Sequence, residues 1–401
     1  MPGILDFGRV ILFVAGALSV AIVVRIIAGR IGVPTAALLL VVAAVAAELS
    51  DRLASLVSFE DVQRVATLAL IAILFDGGMS MGLAKFRAAA VPITVLGVLG
   101  TFLTAPLVAV AAHYVLGFSW TVALLIGAAL APTDPAVTFS VLAGKEVHGR
   151  SGTILEGESG FNDPVGIALM IGMIELATVP SAGATDVEVE FVREMGVGLA
   201  VGAIAGIVLL QALRRLPLPD RSLYPLAVIL AAGVIYGIAT VWHGSGFLAV
   251  FVAGIVIGDA EFPRRIEVRH FLSSLADLGE LAVFVALGLT INLGFIFSGA
   301  VWWQGLVLAV LLGFVVRPLV VTPLLLPSKL SRGERLFVTW AGLKGAVPIL
   351  LASLAVVGGT DQAPEIYGIV FVVVLFSVVV QGTLVPAVAG RLGVPMVDAD
   401  P

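Results

Sequence analysis

Apolar runs close to 20 residues long recur along almost the whole of this 401-residue chain, and no other feature narrows its folding options so far. Such runs match helices crossing a hydrocarbon layer ~30 Å thick. Inside lipid every backbone amide must find a partner within the protein, so the runs permit a helical bundle. They lack the strict alternation of a membrane β-barrel. Composition agrees, with 60% of residues hydrophobic and only 12% charged. Soluble domains carry nearer ~25% charged residues. Glycine (45) and proline (20) are plentiful, as in membrane helices. The absence of cysteine excludes disulfides and thiolate metal sites. The formal net charge of −5 gives no reason to expect a nucleic-acid partner.

Reading apolar runs between polar breaks predicts an all-α integral membrane protein of about thirteen spans. They fall near 4–28, 33–48, 62–80, 90–115, 119–143, 152–179, 192–213, 222–241, 246–260, 271–291, 300–326, 334–357 and 366–389. The first run is longer than a signal-peptide core and lacks a convincing cleavage site, so it reads as the first span. Short cytoplasmic loops are enriched in Lys and Arg. Sixteen of the 22 basic residues, from Arg25 and Arg30 through Arg264, Arg265 and Arg269 to Arg391, fall on one side of this topology. Arg9, Arg52, Arg64 and Arg193 fall on the other, beside the acidic stretch Asp186, Glu188, Glu190 and Glu194. The amino end is therefore expected outside and the carboxyl end in the cytoplasm, in the plasma membrane.

Nine ionisable residues lie inside apolar runs: Asp76, Asp134, Glu156, Glu158, Asp163, Asp277, Glu280, Arg317 and Lys344. Each costs ~2.5–3.5 kcal/mol at a helix centre, so they ask for a functional explanation. Glu156, Asp277 and Glu280 lie near enough to span ends to reach solvent as well.

Two of the spans are broken. The fifth contains Pro132-Thr133-Asp134-Pro135, and two prolines three residues apart remove two amide donors and open the helix. The twelfth contains Gly342-Leu343-Lys344-Gly345-Ala346-Val347-Pro348. If 1–179 is one repeat, 192–213 a linking helix and 222–389 a second repeat, the interruptions occupy equivalent places. Paired broken helices in inverted repeats, crossing near the midplane, point to a transporter's binding site. A single ordinary proline kink would explain one of them, but not the pair with opposite charges. Half-helices meeting at midplane expose dipole ends. Asp134 is expected to neutralise amino-terminal ends and Lys344 carboxyl-terminal ends.

The sixth span reads Glu156-Gly157-Glu158-Ser159-Gly160-Phe161-Asn162-Asp163-Pro164. Ser159 and Asp163 share one helix face, and Glu158 and Asn162 the neighbouring one. Asp163 is then expected to meet the opened backbone at Thr133 and Asp134, with carboxylate, hydroxyl and carbonyl oxygens for a hard monovalent cation. Burial favours the protonated form of a carboxyl group, whereas a nearby cation favours the ionised form. Proton and cation therefore compete for one group, which suffices for exchange if the loaded site alternates between the two sides. Asn162 supplies geometry without a second titrating charge, which predicts electroneutral one-for-one exchange. Arg317 is the expected partner of Glu158, as a structural salt bridge.

In these motifs, in Arg317 followed by proline, and over essentially its whole length, the chain resembles the monovalent cation/proton antiporters. That family includes NhaP-type bacterial and archaeal exchangers and the animal sodium/proton exchangers. The resemblance implies that Asp163 carries proton and cation, and that Thr133, Asp134 and Ser159 surround the ion. It also implies a Glu158–Arg317 bridge, a homodimer, and elevator-like movement of a core bundle. Many relatives have Leu where Gly160 stands and arginine where Lys344 stands. The form Glu-Ser-Gly-x-Asn-Asp-Pro is closer to the potassium/proton branch than to the sodium one. Only about a dozen residues follow the last span, so no cytosolic regulatory domain is expected.

Two other classes share some of these features. A cation channel also uses buried acids and broken helices. Gly157-Glu158-Ser159-Gly160 matches the short pattern of rhomboid-type intramembrane proteases, which need a histidine beside the serine. His113 and His243 fall at outer span ends, and His148 and His270 in loops, so an enzyme is not expected. No Walker-type phosphate loop occurs, which argues against ATP-driven pumping. Gly198, Gly202 and Gly206 form a four-residue repeat that could serve as a helix-contact face.

Overall fold

A computed structural model describes residues 2–134, 137–138, 145–147, 149–180, 183–215 and 218–398. Pro135, His148 and most of the second half of the expected fifth span lie outside the described residues. The architecture is helical. The first helices are α1 (Pro2–Ile31), α2 (Thr35–Leu49), the short α3 (Asp51–Ala54) and α4 (Phe59–Thr94), which runs through a π-helical segment, Val95–Gly100, into α5 (Thr101–Leu116). Then come α6 (Trp120–Leu130), α7 (Arg150–Thr178), α8 (Ala184–Arg215), α9 (Leu223–Val241), α10 (Gly246–Gly258), α11 (Arg265–Leu289) and the short α12 (Leu293–Ser298). A second π-helical segment, Leu312–Val316, joins α13 (Val301–Leu311) to α14 (Arg317–Leu324). They are followed by α15 (Arg332–Ala341) and α16 (Ala346–Val357). A third, Ser377–Gly382, joins α17 (Ala363–Phe376) to α18 (Thr383–Arg391).

Among the described residues, nine helical stretches are long and apolar enough to cross a membrane, and three shorter ones are strongly apolar. Two three-residue strands, β1 (Lys145–Val147) and β2 (Met396–Asp398), pair antiparallel and were not expected from the sequence.

Local chemistry sets the helix ends. Ser58 and Asp61 form a reciprocal capping box at the start of α4, and Ser331 and Glu334 form another at the start of α15. Ser119, Ser245 and Asn292 cap α6, α10 and α12 through their side chains.

The break between the expected third and fourth spans is narrower than the polar residues suggested. Helix continues through this region except at Gly82 (φ 62°, ψ 167°) and Ala89. The Gly82 conformation is one that side chains disfavour, and a Cβ there would collide with the Asp259 carboxylate. That carboxylate accepts from the Ala84 amide at 2.6 Å, so an anion at the end of α10 satisfies a donor freed by the break.

The most buried long helix of the first half is α7, which packs against α4, α6, α8, α10, α15 and α16. Small residues permit this crowding. A side chain at Gly157 would strike Ile93, one at Gly160 the Phe251 ring, and one at Gly166 the Pro132 ring. The repeat Gly198, Gly202 and Gly206 lies against Ser245, Ala249 and Ala253, so within this chain the face serves the α8–α10 contact.

Candidate ion-binding site

Both interruptions open as the prolines and glycines require. Helix α6 ends at Leu130 and Ala131–Asp134 is non-helical; α15 ends at Ala341 and Gly342–Gly345 is non-helical before α16. The two breaks cross in contact. The Asp134 amide donates to the Leu343 carbonyl at 2.8 Å, and the Thr138 hydroxyl to the Ala341 carbonyl at 2.7 Å. These bonds replace helical partners that the breaks remove, which backbone at membrane depth requires.

Each break brings a charge to the end of the opposite helix. Buried Lys344 donates from Nζ to the carbonyls of Ala131 and Pro132, at 3.0 and 2.7 Å, just beyond the carboxyl end of α6. The Asp134 carboxylate lies where a Cβ on Gly345 would stand, at the amino end of α16. A cation thus meets the negative pole of one half-helix, and an anion the positive pole of the other.

Helix α7 presents two faces to this crossing. On one, Glu158 and Asn162 tie the helix to its surroundings. Arg317 grips Glu158 in a two-pronged ion pair, Nη1–Oε1 3.0 Å and Nη2–Oε2 3.3 Å, with both side chains buried. The same guanidinium donates to the carbonyls of Thr339 and Val338, just before the second break. Its other neighbour is Gly342, where any Cβ would overlap it. Asn162 accepts from the Thr133 amide at 3.3 Å and donates to the Thr133 hydroxyl at 2.8 Å. Thr133 also reaches Glu158 Oε1 at 3.5 Å.

The other face, Glu156, Ser159, Gly160 and Asp163, lines a cavity of about 300 Å³. Asp134, Asp76, Asp277 and Glu280 line it as well. Asp163 is only 6% exposed. Its Oδ2 accepts a long hydrogen bond from Ser159, 3.4 Å, and its Oδ1 is buried without a hydrogen-bond partner. Pro164 sits inside α7 and has no N–H, so the helical bond it would make to the Gly160 carbonyl is missing. That carbonyl, one turn before Asp163 on a cavity-lining residue, is left without its helical donor, which sequence reasoning did not single out; proline four residues after Gly160 was the signal.

The structure therefore brings Asp163, Ser159 and Asp134 to one cavity. Thr133, expected on the sequence to face the ion, differs. Its hydroxyl is engaged by Asn162 and Glu158, and it is not among the residues lining the cavity. The contact expected between Asp163 and the opened backbone is made by its neighbour Asn162 instead. Glu158, Arg317 and Lys344 lie behind the cavity as supports. Among the described residues no histidine lines it, and the Ser159 hydroxyl is turned to Asp163. His113 Nδ1 lies 2.6 Å from the Phe118 carbonyl, and the ring stacks on Trp120.

A helical membrane bundle with two crossed broken helices, beside a cavity floored by a buried carboxyl group, has the architecture of a secondary transporter. The profile of the family described as sodium/hydrogen exchanger, transmembrane, matches residues 17–390. The chain belongs to that family. It is 33% identical over 375 residues to the K(+)/H(+) antiporter NhaP of Alkalimonas amylolytica, a match covering 92% of this chain and 64% of that protein. It is 31% identical over 315 residues to the Na(+)/H(+) antiporter NhaH of Halobacillus aidingensis, covering 75% of this chain and 76% of the relative. The chain thus spans less than two thirds of the length of the first of these relatives. In fold it is similar to the sodium proton antiporter MjNhaP1 from Methanocaldococcus jannaschii at pH 8. That likeness has a TM-score of 0.81 at 24% identity, covering 94% of this chain and 99% of the other.

Proposed function

We propose that this chain is a secondary antiporter exchanging Na+ or K+ for H+, with Asp163 binding proton and cation in turn. The observation that carries this reading is the buried, unpartnered Oδ1 of Asp163 on the wall of the acidic cavity. A carboxyl group so placed must take up a proton or a cation to satisfy its charge. A cation there draws oxygens from Asp163, Ser159, Asp134 and the Gly160 carbonyl; Thr133 acts through Asn162, holding the break in register with α7. One carboxylate exchanging one ion for one proton is electroneutral. Relatives named for potassium and for sodium exchange support the cation/proton reading and leave both ions in play.

The remaining parts of the reading follow from it. The chain is a transporter and not an enzyme, in the plasma membrane, with its amino end outside and its carboxyl end in the cytoplasm. Thirteen spans in two inverted repeats, 1–179 and 222–389 about the linking helix 192–213, move the loaded crossing between the two sides. It works as a homodimer, an expectation resting on the family resemblance.

The test is exchange in proteoliposomes containing a pH-sensitive dye, titrated with sodium, potassium and lithium chlorides. Cation-driven proton efflux that is insensitive to an imposed membrane potential supports electroneutral antiport. Cation currents without coupled proton movement would establish a channel instead.

A further inference from the structure

Besides Asp163, Asp134 and Glu156, the cavity wall carries Asp76, Asp277 and Glu280. These three differ in how their charge is met. Asp76 and Glu280 make no ion pair among the described residues. Asp277 is paired with Arg25 of α1, Nη2 to Oδ2 at 3.0 Å, and both side chains are about half exposed. Arg25 stands on a peripheral helix and reaches across to α11, 252 residues further along the chain. An exposed pair of this kind contributes little to stability. Its electrostatic effect on the cavity is larger, because it cancels one of the charges that concentrate cations there.

We propose that Arg25 sets the cation affinity of the cavity by neutralising Asp277, so that the pair acts as an electrostatic brake on cation access to Asp163. The inference rests on the exchange reading above. Arg25 touches neither ion nor carrier carboxylate, so its influence falls on the apparent KM for the cation and leaves kcat unchanged. With Arg25 in place the Asp277 charge is spent locally. Without it, one more unpaired negative charge faces the approaching ion.

Four variants separate this from a structural role. Arg25→Gln is expected to lower the apparent KM for sodium or potassium about threefold at low ionic strength, an effect that fades as inert salt shortens the screening length. Asp277→Asn removes the acid and leaves the arginine, so KM moves the opposite way by a similar factor. The double variant removes a neutral pair and returns KM close to that of the native chain. Arg25→Lys keeps the charge and leaves KM in place. Proteoliposome exchange at varied cation concentration reads KM and kcat. Protection from thermal unfolding by sodium or potassium chloride, against choline chloride, reads binding without turnover.

A native chain that exchanges, with KM unchanged or raised in Arg25→Gln, overturns the inference and leaves the exchange reading intact. So does a fall in kcat with lost thermal stability in that variant. A native chain that neither exchanges nor gains thermal stability from any alkali cation overturns both.

Discussion

Lys344 reaches out of the break before α16 to the carbonyl of Pro132 on the other broken helix, 2.7 Å away, and so stitches the two interruptions together. A second bond, to the Ala131 carbonyl at 3.0 Å, means that one ammonium satisfies two acceptors that α6 leaves open. Lys344→Ala strands those carbonyls. Hydrogen bonds to charged groups contribute ~1.5–3 kcal/mol each, so the variant is expected to lose about 3 kcal/mol or more of stability. Thermal unfolding in detergent should show a clear drop, with exchange lost. Lys344→Arg keeps the charge and should retain part of both.

The Glu158–Arg317 pair invites a different experiment, because both groups are buried and hydrogen-bonded. Breaking such a pair by removing one partner costs about 3–5 kcal/mol, since the other charge is left uncompensated. Glu158→Gln and Arg317→Met should each destabilise the chain by that order. The double variant should cost less than the two singles together, as a double-mutant cycle on unfolding temperature will show.

Much of this site is legible in the residues. Two prolines around Thr133 and two glycines around Lys344 announce interruptions, because proline removes a donor and glycine tolerates backbone that other residues resist. The spacing of Glu156, Ser159 and Asp163 announces one face of α7, and that of Glu158 and Asn162 the next. The partners of those faces are harder to read. Asn162 bonds Thr133 because the opened strand approaches α7 on its Glu158 side, a consequence of how α6 packs, which no local pattern encodes. The narrowness of the break at Gly82 escaped for a related reason. Its compensating acid, Asp259, just past the end of α10 and 175 residues after Ala84, looks in sequence like the polar end of a span.

Pro164 leaves the Gly160 carbonyl without its helical donor. Pro164→Ala restores that donor and draws the carbonyl back into the helix. If the oxygen contributes to cation binding, the apparent KM for the cation should rise several-fold while the fold is kept or slightly stabilised, since proline disfavours helix interiors by ~3 kcal/mol. Kinetic titration beside a thermal-unfolding curve checks both halves.

Competition at one carboxyl group fixes the direction of a pH effect. Lowering pH loads Asp163 with a proton and excludes the cation, so the apparent cation KM should rise as pH falls. Saturating cation should restore the maximal rate. Initial exchange rates over a grid of pH and cation concentration will show this pattern as lines meeting on the rate axis of a reciprocal plot. A fall in maximal rate at unchanged KM would instead indicate titration of a group away from the ion.

The most direct measurement is exchange by Asp163→Asn in proteoliposomes, with the variant's folding checked by its unfolding temperature. Asparagine fills the same space and keeps a contact for Ser159, but can neither release a proton nor balance a cation. Cation-driven proton movement is expected to fall to the level of protein-free vesicles while the unfolding temperature stays near the native value. Exchange at the native rate in this variant would contradict the assignment of Asp163 as the carrier.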